Sequence, residues 1–140
     1  MTLKTHHGSC HCGAVRYEVD IDLANGSNKC NCSNCAKSRA WFSFVPGGAF
    51  RLQSGAEALS EYRWTPPGKP EPFLTFAFCK HCGVRVYGTG DHPKVGGRMY
   101  AVAIATLDDV DADELAAAPV KYIDGRNDRF DQAPTDTRLM

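Results

Sequence analysis

The spacing of seven cysteines constrains this chain of 140 residues more than any other feature of its sequence. The cysteines form three local groups, which are Cys10 and Cys12, then Cys30, Cys32 and Cys35, and finally Cys79 and Cys82. An odd number does not complete a disulfide framework, and in a reducing compartment such a pattern favours metal binding or catalysis. We therefore predict that metal-binding turns organise the fold.

The central group, Cys30-Asn31-Cys32-Ser33-Asn34-Cys35, brings three thiols into six residues of polar, turn-forming sequence. Structural zinc is closed by four protein ligands, whereas catalytic zinc has three and keeps a position for water or substrate. Taken alone, the group is compatible with either type of site, because a fourth cysteine from elsewhere in the chain could close it.

The other four cysteines allow a division into two sites. Together they would complete one closed four-thiolate site and leave three thiols for a second, open one. The fourth ligand of the open site could be water, a substrate thiolate, His11 or His81. A rival division pairs Cys79 and Cys82 with two cysteines of the central group and leaves the third as a free nucleophile. A redox role for Cys79 and Cys82 is disfavoured, since the sequence shows no βαβ pattern around them.

Alternating apolar residues, aromatic runs and frequent glycine and proline predict a mainly β fold of short antiparallel strands with one short helix. Residues 98–105 form the most continuous apolar run and are expected to be a central strand. Residues 108–118 are the predicted helix, with acidic residues at its start and Pro119 after its end. Residues 88–97 and the polar tail from Gly125 are interpreted as irregular.

The charge balance excludes several functional classes. Lysine and arginine number 16, as do aspartate and glutamate, which argues against an extended nucleic-acid or anionic-membrane surface. No apolar run approaches the roughly 20 residues needed to span a bilayer, and the beginning of the sequence lacks a signal-peptide hydrophobic region. We expect a single cytoplasmic domain over residues 1–140 and make no prediction of its oligomeric state.

Three motifs together resemble the glutathione-dependent formaldehyde-activating enzymes and their relatives, which include centromere protein V. They lie at residues 8–15, 30–35 and 78–83, and the resemblance extends over about residues 7–105, leaving 106–140 as a C-terminal helix and tail. It implies a β-tent fold with two zinc ions per chain. The implied ligands of the structural zinc are Cys10, Cys12, Cys79 and Cys82. The implied ligands of the second, catalytic zinc are Cys30, Cys32 and Cys35.

The resemblance also implies an activity. We expect a zinc-dependent carbon–sulfur lyase that acts on a thiol–aldehyde adduct like S-hydroxymethylglutathione, with a thiol such as glutathione and a small aldehyde as its partners. A non-catalytic, zinc-stabilised binding module is the alternative. Lys37 and Arg39 could receive a substrate carboxylate, or they could be solvated surface. Trp41, Phe42 and Phe44 could line a pocket, or they could be core.

Overall fold

The computed structural model describes residues 3–140, except for the side chain of Val95. Ten strands and two α-helices occur in this part of the chain. The strands are β1 (Lys4–Ser9), β2 (Arg16–Ile21), β3 (Ser27–Cys30), β4 (Trp41–Pro46), β5 (Phe50–Ser54), β6 (Leu59–Arg63), β7 (Thr75–Cys79), β8 (Arg85–His92), β9 (Gly97–Ala103) and β10 (Val120–Ile123). The helices are α1 (Ser33–Ser38) and α2 (Ala112–Ala117). The mainly β prediction is confirmed, although the chain has a second helix that was not predicted.

The strands form two sheets. One has three strands in the order β1-β2-β5, and the other has seven in the order β10-β3-β4-β9-β8-β7-β6. Within them, β10 pairs parallel to β3, and the other pairings of these strands are antiparallel. The prediction of a central strand near residues 98–105 is confirmed, because β9 occupies the middle of the larger sheet.

The main core lies where the two sheets pack together. Tyr17 and Val19 of β2 are fully buried and belong to the same cluster as Val86 of β8 and Val102 of β9. The Tyr17 ring stacks on Phe50 with centroids 4.8 Å apart. Burial of alternating residues along β2 is the pattern that its sequence predicts.

Residues 88–97, which were predicted to be a loop, include most of β8 and the start of β9, so that prediction is wrong. Gly88 and Gly90 made the segment resemble a turn. In the structure, a Cβ on Gly90 would lie 2.7 Å from the carbonyl oxygen of Phe73 and 3.0 Å from Leu74 Cδ2. The glycines of β8 therefore permit close approach of the preceding segment, a known role of glycine inside strands.

The predicted helix at residues 108–118 is present but shorter. The side chain of Asp111 caps α2 by accepting the backbone N–H groups of Asp113 and Glu114 at 2.8 and 3.2 Å, which satisfies donors that would otherwise lack partners. Neither α2 nor any other helix in residues 3–140 is long and apolar enough to cross a membrane.

Candidate metal centres

Four cysteines that are distant in the sequence meet at one point of the structure. The sulfur atoms of Cys10, Cys12, Cys79 and Cys82 all lie within 4.8 Å of one another. Cys12 Sγ lies 3.6 Å from Cys10 Sγ and 3.7 Å from Cys79 Sγ. Tetrahedral zinc with bonds of about 2.3 Å to sulfur separates its ligand sulfurs by about 3.8 Å. The four-cysteine group therefore fits zinc in both donor type and spacing.

Two similar turns supply these four sulfurs. In the first, Cys10 N–H donates to Val15 O at 3.1 Å, and Gly13 adopts a φ of 81°. In the second, Cys79 N–H donates to Val84 O at 3.0 Å, and Gly83 adopts a φ of 78°. Each glycine occupies the left-handed conformation that other residues rarely adopt, which lets the chain reverse directly after a cysteine pair.

Backbone donors surround the sulfurs of this group. Val15 N–H donates to Cys10 Sγ at 3.3 Å. Backbone hydrogen bonds from Val84 and then Cys12 lower the pKa of the Cys82 thiol to about 6. Such donors favour the thiolate form, which is the form that binds a metal ion.

The remaining three cysteines form a second group at the junction of β3 and α1. The sulfur atoms of Cys30, Cys32 and Cys35 lie within 4.8 Å of one another. Cys30 ends β3, Cys32 is the N-cap of α1, and Cys35 lies in the first turn of that helix. Cys32 N–H donates to Cys30 Sγ at 3.4 Å, and Cys35 N–H donates to Cys32 Sγ at 3.3 Å. The predicted loop is thus a strand end and a short helix, whose backbone holds the sulfurs.

The thiols of this second group affect one another. Hydrogen bonds from Cys30 and Cys35 lower the pKa of Cys32. Hydrogen bonding to Cys30 and Cys32, together with burial, raises the pKa of Cys35. Both changes arise from hydrogen bonds among the three sulfurs, and a metal dication bound there would replace those hydrogen bonds as the partner of the thiolates.

No histidine or carboxylate among the described residues joins the three sulfurs of the second group. His11 and His81, which were considered as fourth ligands, both have exposed side chains next to the four-cysteine group. The side-chain donors gathered in the structure are therefore four thiols at one point and three at the other. Three thiols fit a zinc site that has one position for an exogenous ligand.

The C-terminal segment packs directly against the three-cysteine group. Ile123 of β10 is in register with Cys30, and Asn31 N–H donates to Ile123 O at 3.2 Å. The side chain of Asn31 donates to Asp124 Oδ1 at 2.9 Å and accepts Arg126 N–H at 2.9 Å. Hydrogen bonds from Asn127 and then Asn31 lower the pKa of the buried Asp124 carboxyl. The segment that packs against this group thus consists of β10 and the first residues of the tail that was predicted to be irregular.

A cleft of about 690 Å³ has Cys35 of the three-cysteine group and Cys10 of the four-cysteine group in its lining. Its apolar lining includes Trp41, Phe42 and Tyr87, and its polar lining includes Arg39 and Arg85. Of the residues predicted to form a pocket, Trp41 and Phe42 line the cleft, whereas Phe44 does not and is 40% exposed. Of the two predicted carboxylate receivers, Arg39 lines it and Lys37 does not.

The sequence model of the family described as glutathione-dependent formaldehyde-activating enzyme, GFA, matches residues 5–123. The chain belongs to this family. The GFA match reaches beyond residue 105 and includes β10, in agreement with the packing of that strand on the three-cysteine group.

Two individual proteins are similar to this GFA chain. One is a Halomonas elongata protein whose name provisionally assigns it as a glutathione-dependent formaldehyde-activating enzyme; it is 37% identical over 79 residues, which are 54% of this chain and 50% of that protein. The chain thus spans about half the length of this curated relative. The other is a Rhodobacter sphaeroides protein of known crystal structure, with a TM-score of 0.63 and 27% identity over 82% of this chain and 99% of that one.

Several residues around the GFA three-cysteine group escaped the sequence interpretation. Asp124 and Gly125 lie in a polar tail, and their contact with residues 30–32 depends on the parallel pairing of β10 with β3, which no local pattern indicates. Arg85 was also not identified from the sequence. Its position three residues after the second cysteine pair is the feature that could have indicated a place near the cysteine groups.

Proposed function

We propose that this protein is a zinc-dependent enzyme that interconverts a thiol and a small aldehyde with their hemithioacetal adduct, in the manner of a carbon–sulfur lyase. In this proposal, Cys10, Cys12, Cys79 and Cys82 hold a structural zinc, and Cys30, Cys32 and Cys35 hold a second zinc at which the substrate binds. Glutathione and formaldehyde are the proposed substrates, as the family description suggests.

The observation that carries the proposal is that Cys35 of the three-cysteine group lines the cleft, so an exogenous thiol can approach the group through that space. Cys10 of the four-cysteine group lines the same cleft, so the number of thiols in each group, and not the cleft alone, decides where a substrate can bind. A cleft of about 690 Å³ lies within the usual range of about 300–1,000 Å³ for small-molecule sites. The four-cysteine group already has a full set of ligands and leaves no position for a substrate.

When bound at the three sulfurs, zinc would stabilise a substrate thiol in its thiolate form at neutral pH. The contribution of the chain is to receive and orient that thiol. Arg39 is suited to bind a carboxylate of glutathione at the mouth of the cleft, since a guanidinium matches a carboxylate in charge and geometry. The apolar side chains of Trp41, Phe42 and Tyr87 reduce the water around the reacting atoms.

The reaction is balanced without an oxidant. In adduct formation, sulfur attacks the aldehyde carbon, a carbon–sulfur bond forms and the carbonyl π bond breaks. The proton that leaves the thiol ends on the aldehyde oxygen, which becomes the hydroxyl group of the adduct. In the lyase direction, the same bond breaks and the proton returns to sulfur. His11 lines the cleft and is the side chain that we assign to carry this proton.

Exchange NMR of formaldehyde with glutathione tests the proposal, because it measures adduct formation at equilibrium. We expect the zinc-loaded protein to accelerate exchange above the spontaneous rate and the Cys32→Ser variant to lose that acceleration. If the intact protein carries two zincs and exchange is no faster than the spontaneous rate, glutathione and formaldehyde are not its substrates. A non-catalytic binding module, the alternative reading, would give that result with every thiol and aldehyde tested.

A further inference from the structure

Arg85 connects the two cysteine groups. It is the first residue of β8 and comes directly after the turn of residues 79–84 that supplies Cys79 and Cys82. Its side chain extends to α1, the helix that carries Cys35. Arg85 Nη1 donates to Ser38 Oγ at 3.1 Å, and Nη1 and Nη2 donate to Asn34 Oδ1 at 3.4 and 3.3 Å.

The two acceptors lie on either side of Cys35 in the sequence. Asn34 precedes Cys35 by one residue, and Ser38 follows it by three, about one helical turn later. A helix of six residues is too short to be stable by itself, so its position depends on tertiary contacts. The planar fork of one guanidinium therefore fixes the helix on which a sulfur of the second group is carried.

The environment of Arg85 also favours an electrostatic role. Its guanidinium carbon lies 4.2 Å from the centroid of the Phe76 ring, and the side chain is half-buried. Burial lowers the pKa of Arg85, and its electrostatic interactions with Cys35, Tyr62 and Cys32 oppose that change. Three thiolates and one zinc dication sum to −1, and a cation held in this partly desolvated position offsets that excess charge.

We propose that Arg85 is a positioning residue that sets the metal affinity of the three-cysteine group. It does so by holding α1 from the end of the four-cysteine turn and by placing positive charge beside the three thiolates. This inference rests on the second zinc site of the proposed function, but it does not depend on which thiol or aldehyde is the substrate.

Two substitutions separate the parts of this role. Arg85→Met keeps much of the apolar stem over Phe76 but removes both the charge and the hydrogen-bonding fork. Arg85→Lys keeps the charge and removes the fork, since lysine cannot donate in two parallel directions. Arg63→Met on β6 is the matched control, because Arg63 is exposed and does not line the cleft beside Cys35.

Competition with a chromogenic zinc chelator, applied to the full chain, measures the affinity of each zinc. We expect Arg85→Met to weaken the second zinc by about 10- to 100-fold, the effect usual for residues that orient metal ligands, and to leave the first unchanged. Arg85→Lys should fall between Arg85→Met and the unmodified chain, and Arg63→Met should match the unmodified chain. Cobalt substitution gives a second readout, because thiolate-to-cobalt absorption reports directly on the three sulfurs.

The outcomes separate this inference from the proposed function. If the unmodified chain binds one zinc, both fail. If it binds two and Arg85→Met holds the second within twofold of the unmodified chain, only the role of Arg85 fails. If Arg85→Lys and Arg85→Met bind the second zinc with equal affinity, the positive charge of Arg85 does not contribute to zinc binding, and the electrostatic part of its role is overturned. If Arg85→Met does not fold, the test rests on Arg85→Lys. An affinity for the second zinc in Arg85→Lys equal to that of the unmodified chain would then overturn the positioning role.

Discussion

Gly125 packs against the sulfur of Cys30 so closely that it has no room for a side chain. A Cβ built on Gly125 would lie 2.5 Å from Cys30 Sγ and 3.3 Å from Cys32 Cβ. The contact follows from the parallel pairing of β10 with β3, which ends with Ile123 opposite Cys30. The C-terminal segment thereby determines how much space the three-cysteine group has.

Gly125→Ala tests this contact. The added methyl group should displace Cys30 and weaken zinc binding at the three-cysteine group, with a loss of stability of about 1–3 kcal/mol, as is typical of overpacking. Zinc content and denaturant unfolding measure the two effects. Gly48→Ala is the control, because a Cβ on Gly48 meets no heavy atom within 4 Å; equal zinc content in the two variants would contradict the prediction.

The two cysteine groups should respond differently to the loss of one sulfur. We expect Cys32→Ser to lose one zinc with little change in fold, because Cys32 is only partly buried and lies outside the main core. Cys79 is fully buried in the main core, so Cys79→Ser should lower the free energy of unfolding by roughly 3 kcal/mol or more, since structural zinc contributes directly to folding. Circular dichroism and metal analysis check both variants. Unfolding of Cys32→Ser to the same extent would mean that its group is structural.

Arg39→Gln tests the proposed carboxylate receiver. Its KM for glutathione should rise about three- to tenfold with little change in kcat, because an exposed charge-assisted hydrogen bond is worth less than a buried one. An uncharged thiol should show no such change in KM. Lys37→Gln is the control, because Lys37 is a basic residue in the last turn of α1, two positions before Arg39, and lies outside the cleft lining. Similar KM values for the two variants would remove Arg39 from the substrate site.

The hydroxyl group of Tyr17 joins the small sheet to the segment after β9. It shares a hydrogen bond of 2.6 Å with Thr106 Oγ1 in the buried core. Tyr17→Phe should therefore reduce the free energy of unfolding by about 1 kcal/mol, the usual net value of such a bond. Denaturant unfolding measures the change, and Tyr62→Phe on β6, where the side chain is 45% exposed, should have no effect. A Tyr17→Phe variant as stable as the unmodified chain would contradict the assignment.

Local patterns were sufficient to predict the parts of the fold that depend on nearby residues. The alternation of apolar residues predicted the buried face of β2, with Tyr17 and Val19 in the core, and the apolar run at residues 98–105 predicted the central strand. The cysteine spacing predicted the three local groups, because ligands two or three residues apart reach the same point without help from the rest of the fold. The spacing allowed two ways of joining these groups, and the structure brings Cys10 and Cys12 together with Cys79 and Cys82.

The features that were missed depend on contacts between distant segments. The glycines of β8 indicated a loop, although they make room for residues 73–74. The turn-forming residues of the central cysteine group concealed α1, whose N-cap is the sulfur of Cys32 rather than a hydroxyl or carboxylate. His6 is buried with Nδ1 3.1 Å from Asp109 Oδ1, a contact between residues 103 positions apart. None of these relationships has a local signature.

The zinc content per chain, measured by elemental analysis or native mass spectrometry on the intact protein, decides whether the seven cysteines form one closed and one open zinc site. We expect two zinc ions per chain. A single zinc at saturation would contradict this expectation, because the three-cysteine group would then hold no metal to which a substrate thiol could bind.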